Sequence, residues 1–123
     1  MATETRSDTI FLQDLKVETI VGIWDWERKI RQTVSIDIEM AADVVKAAET
    51  DNIEGMLNYK AVAKRVQQFV AASEYQLVET LAEKIAETVL AEFDIPWIQL
   101  RVCKPGAIRN AKNVGVTIRR YKA

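Results

Sequence analysis

Within residues 32 to 40, with the sequence QTVSIDIEM, polar and apolar side chains alternate strictly from Val34 onward. Every second residue from Val34 to Met40 is apolar, and the residues between them are polar. This period of two predicts a strand with one buried and one solvent-facing side, which is typical of antiparallel sheets. A chain with such a strand needs further strands beside it and a second layer over its apolar side.

Three other segments are predicted to be strands. Residues 8 to 21 form a long one with a bulge near Asp14, because the apolar positions change phase there. Residues 98 to 103 and 114 to 119 also alternate, and the run from Lys104 to Gly106 predicts the turn that follows the first of them. The edges of such a sheet need protection, either by devices such as the bulge or by pairing with other copies until a ring closes.

Two segments between the strand pairs have helical spacing. The first covers residues 60 to 72, with Asn58 as its N-cap, and the second runs from about 77 to 93. The Ala-rich and acidic residues 41 to 58 are predicted to be a connection. The order strand, strand, helix, helix, strand, strand predicts an α+β domain in two layers, with four antiparallel strands and both helices on one face. We expect one domain over residues 8–123 and a flexible tail at residues 1–7.

Histidine is absent from the chain, and Cys103 is its one cysteine. This composition excludes Ser-His-Asp triads, Cys-His dyads, His-ligated metal sites and a disulfide within the chain. Enzyme chemistry would therefore use Lys, Tyr, Asp, Glu or main-chain groups. A carboxylate-bound magnesium or calcium ion stays open, although no EF-hand or P-loop spacing occurs.

The polar N-terminal residues and the short apolar runs predict neither a secretory signal nor a membrane span, so we expect a cytoplasmic protein. Charge is unevenly distributed, because the last acid is Asp94 and seven basic residues follow it. Such a segment can bind nucleic acid. These basic residues, however, alternate with apolar strand positions and lack an aromatic stacking platform. We favour a basic sheet edge that meets acidic groups of the same protein or of another copy, with no nucleic-acid partner.

Four side chains at the ends of elements are candidates for chemistry. Lys104 lies beside a rigid turn, where a lysine can act as acid or base, or is a solvated turn lysine. Tyr59 can relay a proton, or only packs its ring. Glu79, in the first turn of a helix, either complements the helix dipole or accepts paired hydrogen bonds from a flat heterocycle. Glu27 is either a functional carboxylate or an exposed loop acid, and Trp24 and Trp26 in its loop either line a pocket or pack.

Four segments follow one another along the chain: GIWDWERKIRQ, TDNIEGMLNYKAVA, QLVETLAEKIAE and VCKPGA. Together they resemble the dihydroneopterin aldolase family of the bacterial folate pathway, and the resemblance extends from about Asp8 to Arg120. It implies the tunnelling fold, or T-fold, with the order ββααββ. It also implies that four copies close their sheets into a barrel, that two barrels stack as an octamer, and that the active sites lie between subunits.

The resemblance also implies the site residues. Those for catalysis are Lys104, Tyr59 and Glu27, and those for substrate binding are Glu79, Val78, Leu57, Glu27, Tyr59, Asp51 and Gln32. Glu79 would anchor the pterin ring beside the main chain of Val78, and the adjacent subunit would contribute Tyr59. Val21 and Asn58 stand where many members of the family have histidine.

The implied reaction is the retro-aldol cleavage of dihydroneopterin to 6-hydroxymethyl-dihydropterin and glycolaldehyde. Proton transfer by lysine and tyrosine would carry it, without a metal, a cofactor or a Schiff base, and with some epimerase activity. The nearest rival hypothesis is an epimerase of dihydroneopterin or of its triphosphate, for which Arg109 and Lys112 are candidate phosphate-binding residues. Two further hypotheses are a non-catalytic pterin-binding or assembly protein and a nucleic-acid binder.

Overall fold

The alternating segments form four strands in a computed structural model, which describes residues 8–123. The strands are β1 (Thr9–Thr19), β2 (Gln32–Ala41), β3 (Trp97–Pro105) and β4 (Asn113–Tyr121). They make one antiparallel sheet in the order of the chain. The predicted strands are therefore confirmed, with ends that differ by a few residues. The tail expected at residues 1–7 lies outside the described residues.

The bulge predicted near Asp14 is confirmed. The pairing of β1 with β2 shifts register between Leu12 and Leu15, and Asp14 has a φ of 57°. Its main-chain N–H donates to Oδ1 of Asp37 at 2.6 Å, and Oγ of Ser35 donates to Oδ1 of Asp14 at 2.6 Å. Since β1 is an edge strand, the bulge interrupts the row of groups with which another strand could pair.

Residues 41 to 58 contain a helix that the sequence pattern does not predict. This helix, α1 (Val44–Thr50), has seven residues and buries none of them. The side chain of Asp43 accepts a hydrogen bond from the main chain of Lys46 at 3.0 Å, and Asp51 ends the helix with a φ of 50°. The prediction that only a connection lies here is wrong, because a helix without a buried face leaves no apolar periodicity in the sequence.

The two predicted helices are α2 (Tyr59–Ala71) and α3 (Val78–Glu92), and both are confirmed. The side chain of Asn58 caps α2 by accepting hydrogen bonds from two main-chain N–H groups at 3.1 and 3.2 Å. The buried faces of both helices pack on the apolar side of the sheet and form one core with it. The helical residues of that core are Val62, Val66, Val70, Leu81, Ala82, Ile85, Ala86 and Val89.

One end of the sheet collects the connections that form the candidate site. β1 ends and β2 begins there, and β3 ends and β4 begins there, because neighbouring strands are antiparallel. The hydroxyl of Thr19 donates to the main-chain oxygen of Ser73 at 2.8 Å, which brings the end of α2 to the same place. We call this the loop end. It comprises residues 20–31, 72–77 and 106–112.

The other face of the sheet carries the polar residues expected there. Asp37 is in register with Arg101, and Arg101 with Thr117, so these side chains share that face. Both Arg101 and Thr117 are exposed. Across residues 8–123, none of the helices is both long enough and apolar enough to cross a bilayer.

Candidate active site

Glu27 is a buried acid at the loop end. It begins a short 3₁₀ turn, Glu27–Lys29, and is 5% exposed. Its Oε2 accepts a hydrogen bond from Nζ of Lys104 at 2.6 Å and another from Nε2 of Gln32 at 3.1 Å. Its Oε1 accepts a hydrogen bond from the main chain of Trp24 at 3.3 Å. The hypotheses of an exposed loop acid and of a solvated turn lysine are therefore wrong for these two residues.

The environment of Glu27 favours its ionised form. Burial opposes the charge, but hydrogen bonds from Lys104, Gln32 and the main chain of Trp24 outweigh it and hold the pKa of Glu27 below its ordinary value of 4.5. The pKa of Glu27 is thus lower in the folded protein than in the unfolded chain. At pH values above the ordinary carboxyl range, ionised Glu27 stabilises the fold, and this contribution is lost as the pH falls through the pKa of the folded protein. At neutral pH, Glu27 is a carboxylate that fixes the direction of the Lys104 amine.

Gly22 allows this carboxylate to lie where it does. Gly22 has a φ of 135°, and a Cβ atom built on it would overlap the Glu27 carboxylate. Glycine alone adopts such a φ without strain and leaves that space free. The close approach of main chain and carboxylate therefore requires glycine at this position.

Replacing Gly22 by alanine is expected to destabilise the protein by at least about 1–3 kcal/mol, because the φ becomes strained and the carboxylate must move. Gly55 is a matched control, since its φ is 74° and a Cβ atom there would meet nothing within 4 Å. Denaturant unfolding of Gly22→Ala and Gly55→Ala measures the difference. Equal unfolding free energies would contradict the importance of the Gly22 contact.

A pocket of about 360 Å³ opens beside the Glu27–Lys104 pair. This volume is suited to a small organic molecule. Five of the eight residues implied by the resemblance line it, namely Glu27, Gln32, Val78, Glu79 and Lys104. Trp24 and Trp26 also line it, 61% and 60% exposed, which confirms the interpretation that they border a pocket. Among the described residues, no three histidine, cysteine, aspartate or glutamate side chains are grouped as a metal site would need.

The first turn of α3 forms part of the pocket wall. Leu77 precedes the helix, and no side chain caps it. The first N–H groups of a helix have no partner within the helix, so those of α3 are free to bind an acceptor on a ligand. Glu79 lies in the same turn and is exposed. The pocket thus offers a carboxylate and main-chain donors side by side.

The other three implied residues do not line this pocket. Tyr59 begins α2, whose last residues lie at the loop end, and a helix of 13 residues is about 20 Å long. Tyr59 is therefore at the far end of the sheet in its own chain, 46% exposed. Leu57 lines a separate cavity with Ala41 and Trp97, and Asp51 ends α1. About half of the Tyr59 surface is exposed, so both alternatives for this residue, a proton relay and a ring that only packs, stay predictions.

Several basic residues beyond Asp94 contact groups of the same chain. Lys104 pairs with Glu27, and Nη2 of Arg120 lies 2.6 Å from Oε2 of Glu83. The guanidinium of Arg119 lies 4.1 Å from the ring centroid of Trp97. These contacts agree with the interpretation of a basic sheet edge that meets acidic groups of its own protein.

The chain matches known proteins over most of its length. The family model described as "FolB: Dihydroneopterin aldolase" matches residues 10–119. The dihydroneopterin aldolase of Escherichia coli K12 is 43% identical over 113 residues, which cover 92% of this chain and 93% of the relative. The dihydroneopterin triphosphate 2'-epimerase of Pseudomonas aeruginosa is 28% identical over 109 residues, which cover 89% of each chain.

Solved structures extend the similarity to the fold. The E. coli dihydroneopterin aldolase, crystallised in complex with neopterin, matches with a TM-score of 0.88 and 43% identity, over 92% of this chain and 98% of that one. A FolB structure from Vibrio cholerae O1 matches with a TM-score of 0.91 and 38% identity, over 94% and 98%. The T-fold expected from the resemblance is thereby confirmed. On the sequence match and the structural match together, the chain belongs to the dihydroneopterin aldolase family.

Proposed function

We propose that this protein is a dihydroneopterin aldolase, a lyase that converts dihydroneopterin to 6-hydroxymethyl-dihydropterin and glycolaldehyde. One observation carries the proposal. The buried Glu27–Lys104 pair borders the pocket that Glu79 and the open first turn of α3 also line. A proton-transfer group and a ring anchor therefore share a pocket of suitable size. The E. coli relative has this name, and its structure holds neopterin.

The chemistry requires little of the protein beyond binding and proton transfer. Dihydroneopterin has a ring imine beside its trihydroxypropyl side chain. When the second hydroxyl of that side chain loses its proton, the carbon–carbon bond next to it breaks. The electron pair moves into the ring imine and leaves an enamine, while the released carbon fragment departs as glycolaldehyde. Protonation of the enamine carbon then gives the hydroxymethyl product, so the substrate supplies its own electron sink.

The start of α3 is suited to hold the pterin ring. The Glu79 carboxylate has two oxygens that accept hydrogen bonds in one plane, which matches the donor edge of the amino-pyrimidine ring. The free N–H groups of the first turn, with the main chain of Val78 among them, suit the ring carbonyl. Ring binding therefore places the side chain of the substrate within the pocket that Lys104 lines.

Lys104 is the proton-transfer group of this proposal. Its side chain is only 18% exposed, and Oε2 of Glu27 accepts one of its hydrogen bonds. A lysine amine has more than one hydrogen, so the remaining ones are available to the ring imine, the substrate hydroxyl or a water molecule between them. Gln32 donates to the same oxygen of Glu27 and so fixes the carboxylate against which the lysine is held.

Tyr59 completes the site from a second copy of the chain. Within one copy it lies about 20 Å from the loop end, and its exposed ring at the start of α2 is accessible to a neighbour. The sheet is open, with β1 and β4 at its edges, and the bulge at Asp14 interrupts only part of β1. We therefore include in the proposal an octamer of two closed rings, with Leu57 and Asp51 beside Tyr59 at each shared site.

An epimerase is the second candidate, because a P. aeruginosa relative has that name. The same bond cleavage, followed by re-addition of glycolaldehyde to the other face, inverts a carbon of the side chain. Lys112 lines a groove that also contains Lys104, so a phosphorylated side chain would find basic groups there. Epimerase and aldolase activities differ in whether glycolaldehyde leaves.

Incubation with dihydroneopterin and identification of the products distinguishes the two. We expect glycolaldehyde and 6-hydroxymethyl-dihydropterin in equal amounts, with a smaller amount of the epimer, dihydromonapterin. Accumulation of dihydromonapterin without glycolaldehyde would replace the aldolase by the epimerase. Binding of neopterin without any turnover of dihydroneopterin would show a pterin-binding protein that is not an enzyme.

A further inference from the structure

Arg28 connects two segments of the loop end that carry different parts of the site. Its Nη1 donates to the main-chain oxygens of Gly22 and Tyr75, both at 3.1 Å. Its Nη2 donates to the main-chain oxygen of Glu74. Gly22 belongs to the loop that contains Glu27, whereas the other two acceptors belong to the connection that leads into α3. One guanidinium group thus holds three carbonyl groups from two segments.

The main chain alone joins these segments weakly. The N–H of Gly22 donates to the oxygen of Tyr75 at 3.4 Å, which is long for such a hydrogen bond. The hydrogen bonds of Arg28 are charge-assisted and therefore stronger than those between neutral groups. Loss of the Arg28 hydrogen bonds is therefore expected to move the loop of Glu27 relative to the start of α3.

We infer that Arg28 is a positioning residue, which sets the distance between the Glu27–Lys104 pair and the ring-binding turn at Glu79. The inference rests on the proposed function, because it assumes that both groups act on one pterin. Arg28 itself does not line the pocket. It acts through the main-chain oxygen of Gly22, which lines the pocket, and through those of Glu74 and Tyr75, which directly precede the pocket-lining Gln76.

The planar fork of arginine is needed for this role. A guanidinium directs several N–H groups in fixed directions, whereas lysine has a single ammonium on a flexible stem. Lysine at position 28 keeps the charge, but a single nitrogen atom replaces the two that contact these three carbonyl groups. We therefore expect the kcat/KM and the Kd for neopterin of Arg28→Lys to lie between those of the wild type and those of Arg28→Gln.

Arg31 provides a matched control in the same loop. Its Nη2 donates to the main-chain oxygens of Glu18 and Ala71 at 2.7 and 2.8 Å. It is thus a second arginine that bridges two elements through carbonyl groups. Neither Glu18 nor Ala71 lines the pocket, whereas Gly22, one of the acceptors of Arg28, does. Loss of Arg31 therefore tests the general effect of removing such a bridge.

The test compares Arg28→Gln with Arg31→Gln in three measurements: the denaturant midpoint, the Kd for neopterin, and kcat and KM for dihydroneopterin. An error of about 1 Å in placing reacting groups costs up to about 100-fold in rate. We expect Arg28→Gln to raise the Kd for neopterin and to lower kcat/KM by about tenfold or more, with kcat itself reduced. Arg31→Gln is expected to lower the midpoint while kcat/KM and the Kd stay near the wild-type values.

Equal kcat/KM and Kd values in the two variants would contradict the inference, because Arg28 would then only stabilise the fold. If Arg28→Gln does not fold, the same measurements are made on Arg28→Lys and Arg31→Lys, and equal kcat/KM and Kd values in these two variants would contradict the inference. Different results would contradict the proposed aldolase function and the inference about Arg28. A wild-type protein that releases no glycolaldehyde would end the proposed function, whereas the binding of neopterin by the variants would still decide whether Arg28 positions the pocket.

Discussion

Replacing Lys104 by methionine is expected to lower kcat for dihydroneopterin cleavage by about 10²- to 10⁴-fold, the usual contribution of a general acid or base. Lys104 is the one basic side chain that lines the pocket in the described part of the chain. Methionine keeps much of the length and the packing but has no proton to transfer. Single-turnover measurement of glycolaldehyde release checks the prediction. The Kd for neopterin is expected to change much less than kcat, since Glu79 and the first turn of α3 remain.

The control for this variant must account for Glu27. Lys104→Met leaves a carboxylate that is 5% exposed without its cation, and breaking a buried ion pair costs about 3–5 kcal/mol. The double variant Glu27→Gln/Lys104→Met removes the stranded charge, so it is expected to be more stable than Lys104→Met but equally inactive. A stable double variant with wild-type kcat would remove Lys104 from the mechanism.

Tyr59→Phe is expected to lower kcat by about 10²-fold or more, since it removes a hydroxyl that transfers a proton in the proposed reaction. The change should have little effect on stability, because the ring is 46% exposed and Asn58, not Tyr59, caps α2. The measurement is kcat together with the thermal midpoint. Unchanged kcat in Tyr59→Phe would mean that Lys104 and water handle all proton transfers without the tyrosine.

The fold could be predicted from the sequence wherever an element buries one face. The alternation from Val34 to Met40 and the helical spacing of α2 and α3 both arise from burial, and the bulge at Asp14 appears as a change of phase. α1 has no buried residue and therefore no such pattern. Asp43, which caps it, was the one available signal, and Asp is equally common in turns.

The candidate site was predictable only in part. Residue type and position at the ends of elements pointed to Lys104, Tyr59, Glu79 and Glu27, and the resemblance supplied their roles. The burial of Glu27 against Lys104 could not be predicted, because 77 residues separate them along the chain. The contacts of Arg28 had no signal in the sequence either. Its acceptors are main-chain oxygens, and every residue has one.

The proposed reaction requires Lys104 of one copy and Tyr59 of another to act at the same site. Co-expression of Lys104→Met and Tyr59→Phe chains in equal amounts tests it directly. In a ring that mixes them at random, about a quarter of the shared sites receive both intact residues.

The mixed assembly is therefore expected to recover about a quarter of the wild-type activity, although each variant alone is nearly inactive. A mixture of Lys104→Met with Glu27→Gln is the control, and we expect no recovery there, because both residues belong to the same side of the site in one chain. Recovery in the first mixture alone is the predicted result. No recovery in the first mixture, with mixed assemblies verified by mass, would contradict the claim.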